Sequence, residues 1–271
     1  MKKIFFLLMA TYLLSASAFA DHAWSSYHWA RTTASFDLII INSTTTDWHG
    51  YVGQAVNDWS VSGKVDLIED GEGSTNKKVR RQCKAPDGKV RICNLAYGQT
   101  GWLGIAGISL DAEGHITRGY TKLNDTYFSR NDYNSVDWKQ SVTCQELGHN
   151  LGLGHQDEDF DLASSTSCME YQDPPFLSPD SHDYEELVAI YDNVDSYNSY
   201  SGGASTGGNS TDGNSCNAPK GKGCNKSDKP SSNSEIGWGM SLGRRSNKEV
   251  FIRIDRHGIK HLTYVTWAKD H

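Results

Sequence analysis

Residues 36–41 are apolar at Phe36, Leu38, Ile39, Ile40 and Ile41 around a single Asp37, a run of strand length rich in β-branched side chains. The period then changes. Trp48, Tyr51, Val52, Ala55, Val56 and Trp59 recur at steps of three and four, which predicts an amphipathic helix with Thr46 or Asp47 as its cap. Further strands are predicted over 65–68, 91–96, 101–110 and 117–123, with turn signals at Asp87-Gly88 and Glu113-Gly114. Helices are predicted over 135–152 and 181–191. Beyond them, Glu249-Val250-Phe251-Ile252-Arg253-Ile254 and His261-Leu262-Thr263-Tyr264-Val265-Thr266-Trp267 alternate around Arg256-His257-Gly258, the pattern of a small β-hairpin. The expected class is α+β: a mixed sheet with few, separated helices, and a small β module at the C-terminus.

Composition divides this pattern into four parts. Residues 1–20 read as a secretory signal peptide, with Lys2 and Lys3, an apolar run from Ile4 to Leu14 and an Ala18-Phe19-Ala20 cleavage site. That run is shorter than the ~20 residues of a membrane span. The expected product is therefore secreted, extracellular or periplasmic, and free of the membrane once the signal is cleaved. A main domain covers 21–195. Residues 196–234 hold 10 Ser, 7 Gly and 6 Asn with almost no aliphatic side chain, a composition that cannot build a core and reads as a linker. The β module covers 235–271; it is too small to assign a ligand, and packing onto the main domain is an equal expectation.

Charge and cysteine content narrow the function classes. Removing Lys2 and Lys3 leaves 24 basic against 33 acidic residues, a net charge of −9, a poor surface for nucleic acid or anionic lipid. Export places Cys83, Cys93, Cys144, Cys168, Cys216 and Cys224 where disulfides persist. Proximity in sequence favours Cys83–Cys93, Cys144–Cys168 and Cys216–Cys224, and no Cys-x-x-Cys pair suggests a thiolate zinc site.

The chemistry concentrates in Cys144-Gln145-Glu146-Leu147-Gly148-His149-Asn150-Leu151-Gly152-Leu153-Gly154-His155. On a helix, Gln145 and His149 share a face and Glu146 lies beside it. Gly152 can end the helix in a left-handed conformation and turn His155 back toward His149. Two imidazoles and a carboxylate then converge, as zinc hydrolysis requires: nitrogen ligands, an open position for water, and a base for its proton. Here the sequence resembles the metzincin metallopeptidases of the matrixin and astacin type, whose pattern is His-Glu-x-x-His-x-x-Gly-x-x-His followed by a Met-turn. The run Ser167-Cys168-Met169-Glu170-Tyr171 is similar to that turn. Gln145 stands where the family has its first His.

The resemblance, over about residues 36–192, implies a twisted mixed sheet with an active-site helix, and a zinc-dependent endopeptidase acting on polypeptides as a monomer. It implies zinc held by His149, His155 and Gln145, Glu146 as general base, Tyr171 stabilising the oxyanion, and Met169 packed beneath the metal. An amide oxygen is a harder donor than imidazole, so weaker zinc binding is expected. The rival reading is a lapsed metzincin scaffold that binds polypeptides, with Gln145 marking loss of the metal. Residues 101–109 admit two readings, an exposed edge to which a substrate strand adds, or a buried strand whose glycines allow close packing. Asp157, Glu158, Asp159 and Asp161 could bind Ca²⁺, but the Gly and Glu of an EF-hand loop are missing, and a solvated acidic loop is expected. Of the remaining histidines, His115 and His182 stand as candidate distant ligands; His22, His28, His49, His257, His261 and His271 show no metal context.

Overall fold

A computed structural model describes residues 22–155, 166–170, 172–201, 237–245 and 248–269. The signal peptide, the four acidic residues after His155, Tyr171 and the Cys216–Cys224 pairing lie outside the described residues. One mixed sheet of eight strands runs in the order β2-β1-β3-β5-β4-β8-β7-β6. Its strands are β1 Phe36–Asn42, β2 Val65–Glu72, β3 Lys89–Leu95, β4 Trp102–Leu110, β5 Ile116–Asn124, β6 Met240–Arg245, β7 Lys248–Ile254 and β8 Lys260–Trp267. The first four in sheet order are parallel, and β4 is antiparallel to β5. Parallel neighbours need a crossover. Between β1 and β2 it is helix α1 (His49–Trp59), whose Val52, Ala55, Val56 and Trp59 are buried in the main core with Leu38, Ile40, Val65 and Leu67.

The entry to α1 differs from expectation. Thr46–Trp48 is a 3-10 turn, and no side chain caps either this turn or α1. Tertiary hydrogen bonds fix the entry instead: the Thr45 amide donates to Asn94 Oδ1 at 2.7 Å and the Trp48 indole donates to Asp125 at 2.9 Å. Two short helices lacked a sequence signal, α2 (Lys77–Gln82) and α3 (Asp125–Phe128). They begin where Asn76 and Asn124 side chains accept backbone N–H groups, a local device that leaves no apolar period. Helices α4 (Val136–Asn150) and α5 (Ser181–Ile190) fall where predicted.

Strands β6 to β8 continue the main sheet, because β8 pairs antiparallel with β4 from Trp102↔Trp267 to Leu110↔Lys260. The C-terminal segment is thus three strands rather than a hairpin, and it seals the edge on which a substrate strand was one of two expectations. Every residue of β4 is buried, so the close-packed reading holds there. An added Cβ at Gly104 would stand 2.5 Å from Glu146 Oε1, and one at Gly107 2.2 Å from the Tyr120 ring. A second apolar cluster of Trp102, Ile105, Trp238, Phe251, Val265 and Trp267 bonds the new strands to the old.

Cys83–Cys93 and Cys144–Cys168 are disulfides, as their sequence proximity predicts. The first residues of the predicted linker belong to the main body: the Ser199 amide donates to Ala30 O and the Ser201 amide to Gly88 O, each at 2.9 Å. Among the described residues no helix is long and apolar enough to cross a membrane.

Candidate metal centre

Helix α4 carries Gln145, Glu146 and His149 through the middle of the molecule. Ser135 opens it by accepting the Trp138 amide at 3.1 Å. Its flanks are anchored by buried polar contacts: the Trp59 indole donates to Cys144 O and the Trp29 indole to Asn150 O, both at 2.9 Å. The helix ends in a turn at Gly152, whose φ of 99° suits glycine. A side chain there would also strike Tyr27 O, 2.3 Å from the ideal Cβ position. The N-terminal segment clasps this turn, with the Trp24 amide donating to Gly152 O at 2.6 Å and Ala23 bridging Leu153.

That turn returns His155 to His149, with ring centroids 4.6 Å apart. In both rings Nδ1 meets a backbone carbonyl, Leu153 O at 2.8 Å for His149 and Met169 O for His155. An Nδ1–H facing a carbonyl leaves Nε2 as a bare lone pair. Neither Nε2 has a hydrogen-bond partner among the described residues, although both atoms are buried. Burial holds His149 neutral, its pKa driven down to about 3, and depresses His155 as well. Two neutral, oriented imidazoles with unpartnered nitrogens are what a borderline-soft divalent cation binds, with the opposite ring nitrogen fixed by a carbonyl.

Glu146 is fully buried under β4, and neither carboxylate oxygen makes a hydrogen bond of normal geometry. Burial pushes its pKa up to about 8, opposed by the Thr266 hydroxyl and the Lys248 ammonium. A nearby dication would favour the carboxylate again. Gln145 is oriented on both sides: its amide nitrogen donates to Cys168 O at 3.0 Å, and its oxygen accepts the Thr266 hydroxyl at 3.1 Å. One lone pair of that oxygen is left.

Met169 is fully buried, and its sulfur would be 2.5 Å from a Cβ at Gly148, so it packs directly against α4. Its turn is held by Ser167, whose hydroxyl accepts the Met169 amide at 2.8 Å and donates to the buried Asp183. Asp183 also accepts the Asp180 amide at 2.8 Å in the capping box that opens α5. The sequence pattern did not single out Ser167, Asp180 or Asp183 for this task; the Asp-x-x-Asp spacing of the α5 cap, Asp180 to Asp183, was the available signal.

The C-terminal strands roof the centre. The Tyr264 ring stacks on His149 at 4.0 Å between centroids and 10° between planes, and Trp24 lies 4.2 Å from Tyr264. Beside them a cavity of about 430 Å³ is lined by Trp24, Tyr27, His155, Lys248, Leu262 and Tyr264, among others. Of the histidines set aside or held as distant candidates, His22 stacks on His182 at 4.7 Å and faces Asp183, whereas His28 and His115 both converge on Asp195. No known protein family matches the sequence. A search of curated proteins also returned no match. The metzincin resemblance therefore rests on the residues of the two motifs.

Proposed function

We propose that the chain is a secreted zinc-dependent endopeptidase. The observation that carries the reading is the pair of neutral imidazoles of His149 and His155, their buried Nε2 atoms unpartnered among the described residues and their Nδ1 atoms held by carbonyls, with the buried Glu146 carboxylate one residue along α4 from Gln145. His149 and His155 would hold the ion, with the remaining lone pair of Gln145 Oε1 as the third donor. Zinc bound there would acidify water and polarise a peptide carbonyl. Glu146 would take the proton, and its burial strengthens the electrostatic interactions of its carboxylate. Met169 sets the floor, and Ser167 and Asp183 keep that floor in register with α4. The signal peptide and the two disulfides support an exported protein.

Two measurements test the reading. In the zinc-loaded chain, His149→Ala with His155→Ala should cost one equivalent of zinc, and Glu146→Gln should abolish peptide hydrolysis while keeping that zinc. Retention of full zinc content in the double His variant would end the proposal. The rival, a polypeptide-binding protein on a lapsed scaffold, draws on one observation, the engagement of both ends of the Gln145 amide by Cys168 and Thr266. It expects no zinc at His149 and His155 even after reconstitution.

A further inference from the structure

His28, His115 and Asp195 come from the N-terminal segment, the β4–β5 turn and the stretch after α5. They meet at one point, their ligand atoms all within 4.8 Å of one another. His28 Nδ1 lies 2.8 Å from Ser26 O, a carbonyl that only accepts, so this nitrogen carries the proton and Nε2 presents a lone pair. His115 Nδ1 lies 2.6 Å from Tyr197 Oη. That phenol donates to Asp111, so it accepts from His115, whose Nε2 is likewise a lone pair.

Both lone pairs point at the same carboxylate. His28 Nε2 is 3.4 Å from each oxygen of Asp195, and His115 Nε2 is 3.4 Å from Oδ1. With both rings neutral, three acceptors face one another with no proton to share, and a single imidazolium at His28 relieves only its own side, leaving the His115 lone pair against Oδ1. The alternative, two imidazolium rings with centroids 4.8 Å apart, sets like charges side by side. A cation in the middle resolves both difficulties. Metal–ligand bonds of ~2.0–2.1 Å in tetrahedral geometry put neighbouring ligand atoms ~3.3 Å apart, close to the 3.4 Å from each imidazole to Asp195. The outer partners match as well, a backbone carbonyl on one imidazole and a phenol relayed to a carboxylate on the other. Asp195 is itself oriented by the Arg31 amide, which donates to Oδ2 at 2.9 Å.

We propose that His28, His115 and Asp195 form a second metal site, for zinc or a related first-row divalent ion, separate from the His149–His155 centre. All three residues are partly exposed, which leaves a fourth position to solvent. The bound ion ties the N-terminal segment to the sheet and to the end of α5, so its role is structural.

The test uses the full chain carrying His149→Ala and His155→Ala, titrated with zinc alone by calorimetry and followed by thermal unfolding. One equivalent should still bind and raise Tm, and cobalt should give the intense visible bands of tetrahedral coordination. Adding His28→Ala and His115→Ala should remove that equivalent. Asp195→Asn keeps an oxygen for the Arg31 amide and should weaken binding about tenfold or more. Absence of zinc binding in the first variant, or binding unchanged by Asp195→Asn, overturns the proposal. Neither result depends on peptidase activity.

A different observation carries a second inference, which rests on the peptidase reading. Strand β8 lies antiparallel along β4, the place a substrate strand would take, while Tyr264 covers His149 and Thr266 holds Gln145. We infer that residues 248–269 occupy the substrate cleft in cis and keep the intact chain latent. Tyr264→Ala in the full chain tests this with fluorogenic peptides. With far-UV ellipticity and zinc content unchanged, it should raise hydrolysis about tenfold or more, whereas Tyr264→Phe, which keeps the ring over His149, should not. Equal rates for the wild-type chain and Tyr264→Ala overturn latency alone. Failure of the peptidase reading looks different: no form hydrolyses, and the double His149, His155 variant loses no zinc.

Discussion

Lys122 sits in β5 with its ammonium 5.5 Å from the ring centres of both Tyr97 and Tyr120. Burial lowers its pKa from 10.5 to about 8, more than the aromatic faces recover. The unfolded chain therefore binds more protons than the folded one between pH 8 and 10.5, and this residue's contribution makes stability rise with pH across that window. Below pH 8 the full cost is present, on the order of 3 kcal/mol as an upper bound from 1.36 kcal/mol per pKa unit. Lys122→Met should accordingly stabilise the protein by about 1 to 3 kcal/mol at pH 7 in denaturant unfolding. The advantage should shrink toward pH 10.5; an equal or lower midpoint for the variant at pH 7 would show that the ammonium is not strained. At this scale the sequence was informative about His149, His155 and Glu146, because a helical offset and a glycine stop translate directly into position, and about Met169 only through the resemblance of its turn. It was silent about Asp195 and His28. Their partner, His115, lies more than 70 residues from each, and no local period records such a meeting.

Between elements, the contact that shapes the centre is α4 against the turn at Met169, joined by Cys144–Cys168 and by the Gln145 bond to Cys168 O. Closing the loop across 24 residues of separation should stabilise the fold by about 3 kcal/mol in the chain-entropy model. Cys144→Ala with Cys168→Ala should lower Tm by several degrees, and it should also weaken zinc at His149 and His155, because Met169 O sets the His155 ring. A variant with lower Tm and undiminished zinc affinity would show that the disulfide acts on the unfolded chain only. The pairing itself was legible in the sequence from proximity, as were α4, α5 and the strands β1, β3 and β5. Strand β4 was legible as a strand yet ambiguous in place. Its glycines fit either an open rim or tight packing, and the choice was made by Glu146, which needs the space at Gly104, and by Tyr120, which needs the space at Gly107.

At the scale of the molecule, alternation showed that 249–267 would form strands but not which edge they would join. A period of two specifies a face, whereas a sheet neighbour is chosen by cross-strand packing of distant residues. Here the choice is made by Trp102, Ile105, Val265 and Trp267, which form one apolar cluster across the β4–β8 seam, with β8 interior to the sheet rather than an appendage. Interior position has a thermodynamic consequence: strands sharing one core cannot melt separately, so the intact chain should unfold in a single cooperative transition. Tryptophan fluorescence, to which Trp102, Trp238 and Trp267 at the seam contribute three of the eight indoles, should then coincide with far-UV ellipticity of the whole sheet in the same denaturant series. A fluorescence midpoint clearly below the ellipticity midpoint would mean that β6–β8 detach first and that their hold on the centre is weak. Refolding should be slow for the chain's length, because β4 and β8 must find each other across more than 140 residues, and such long loop closures precede the contacts that reward them.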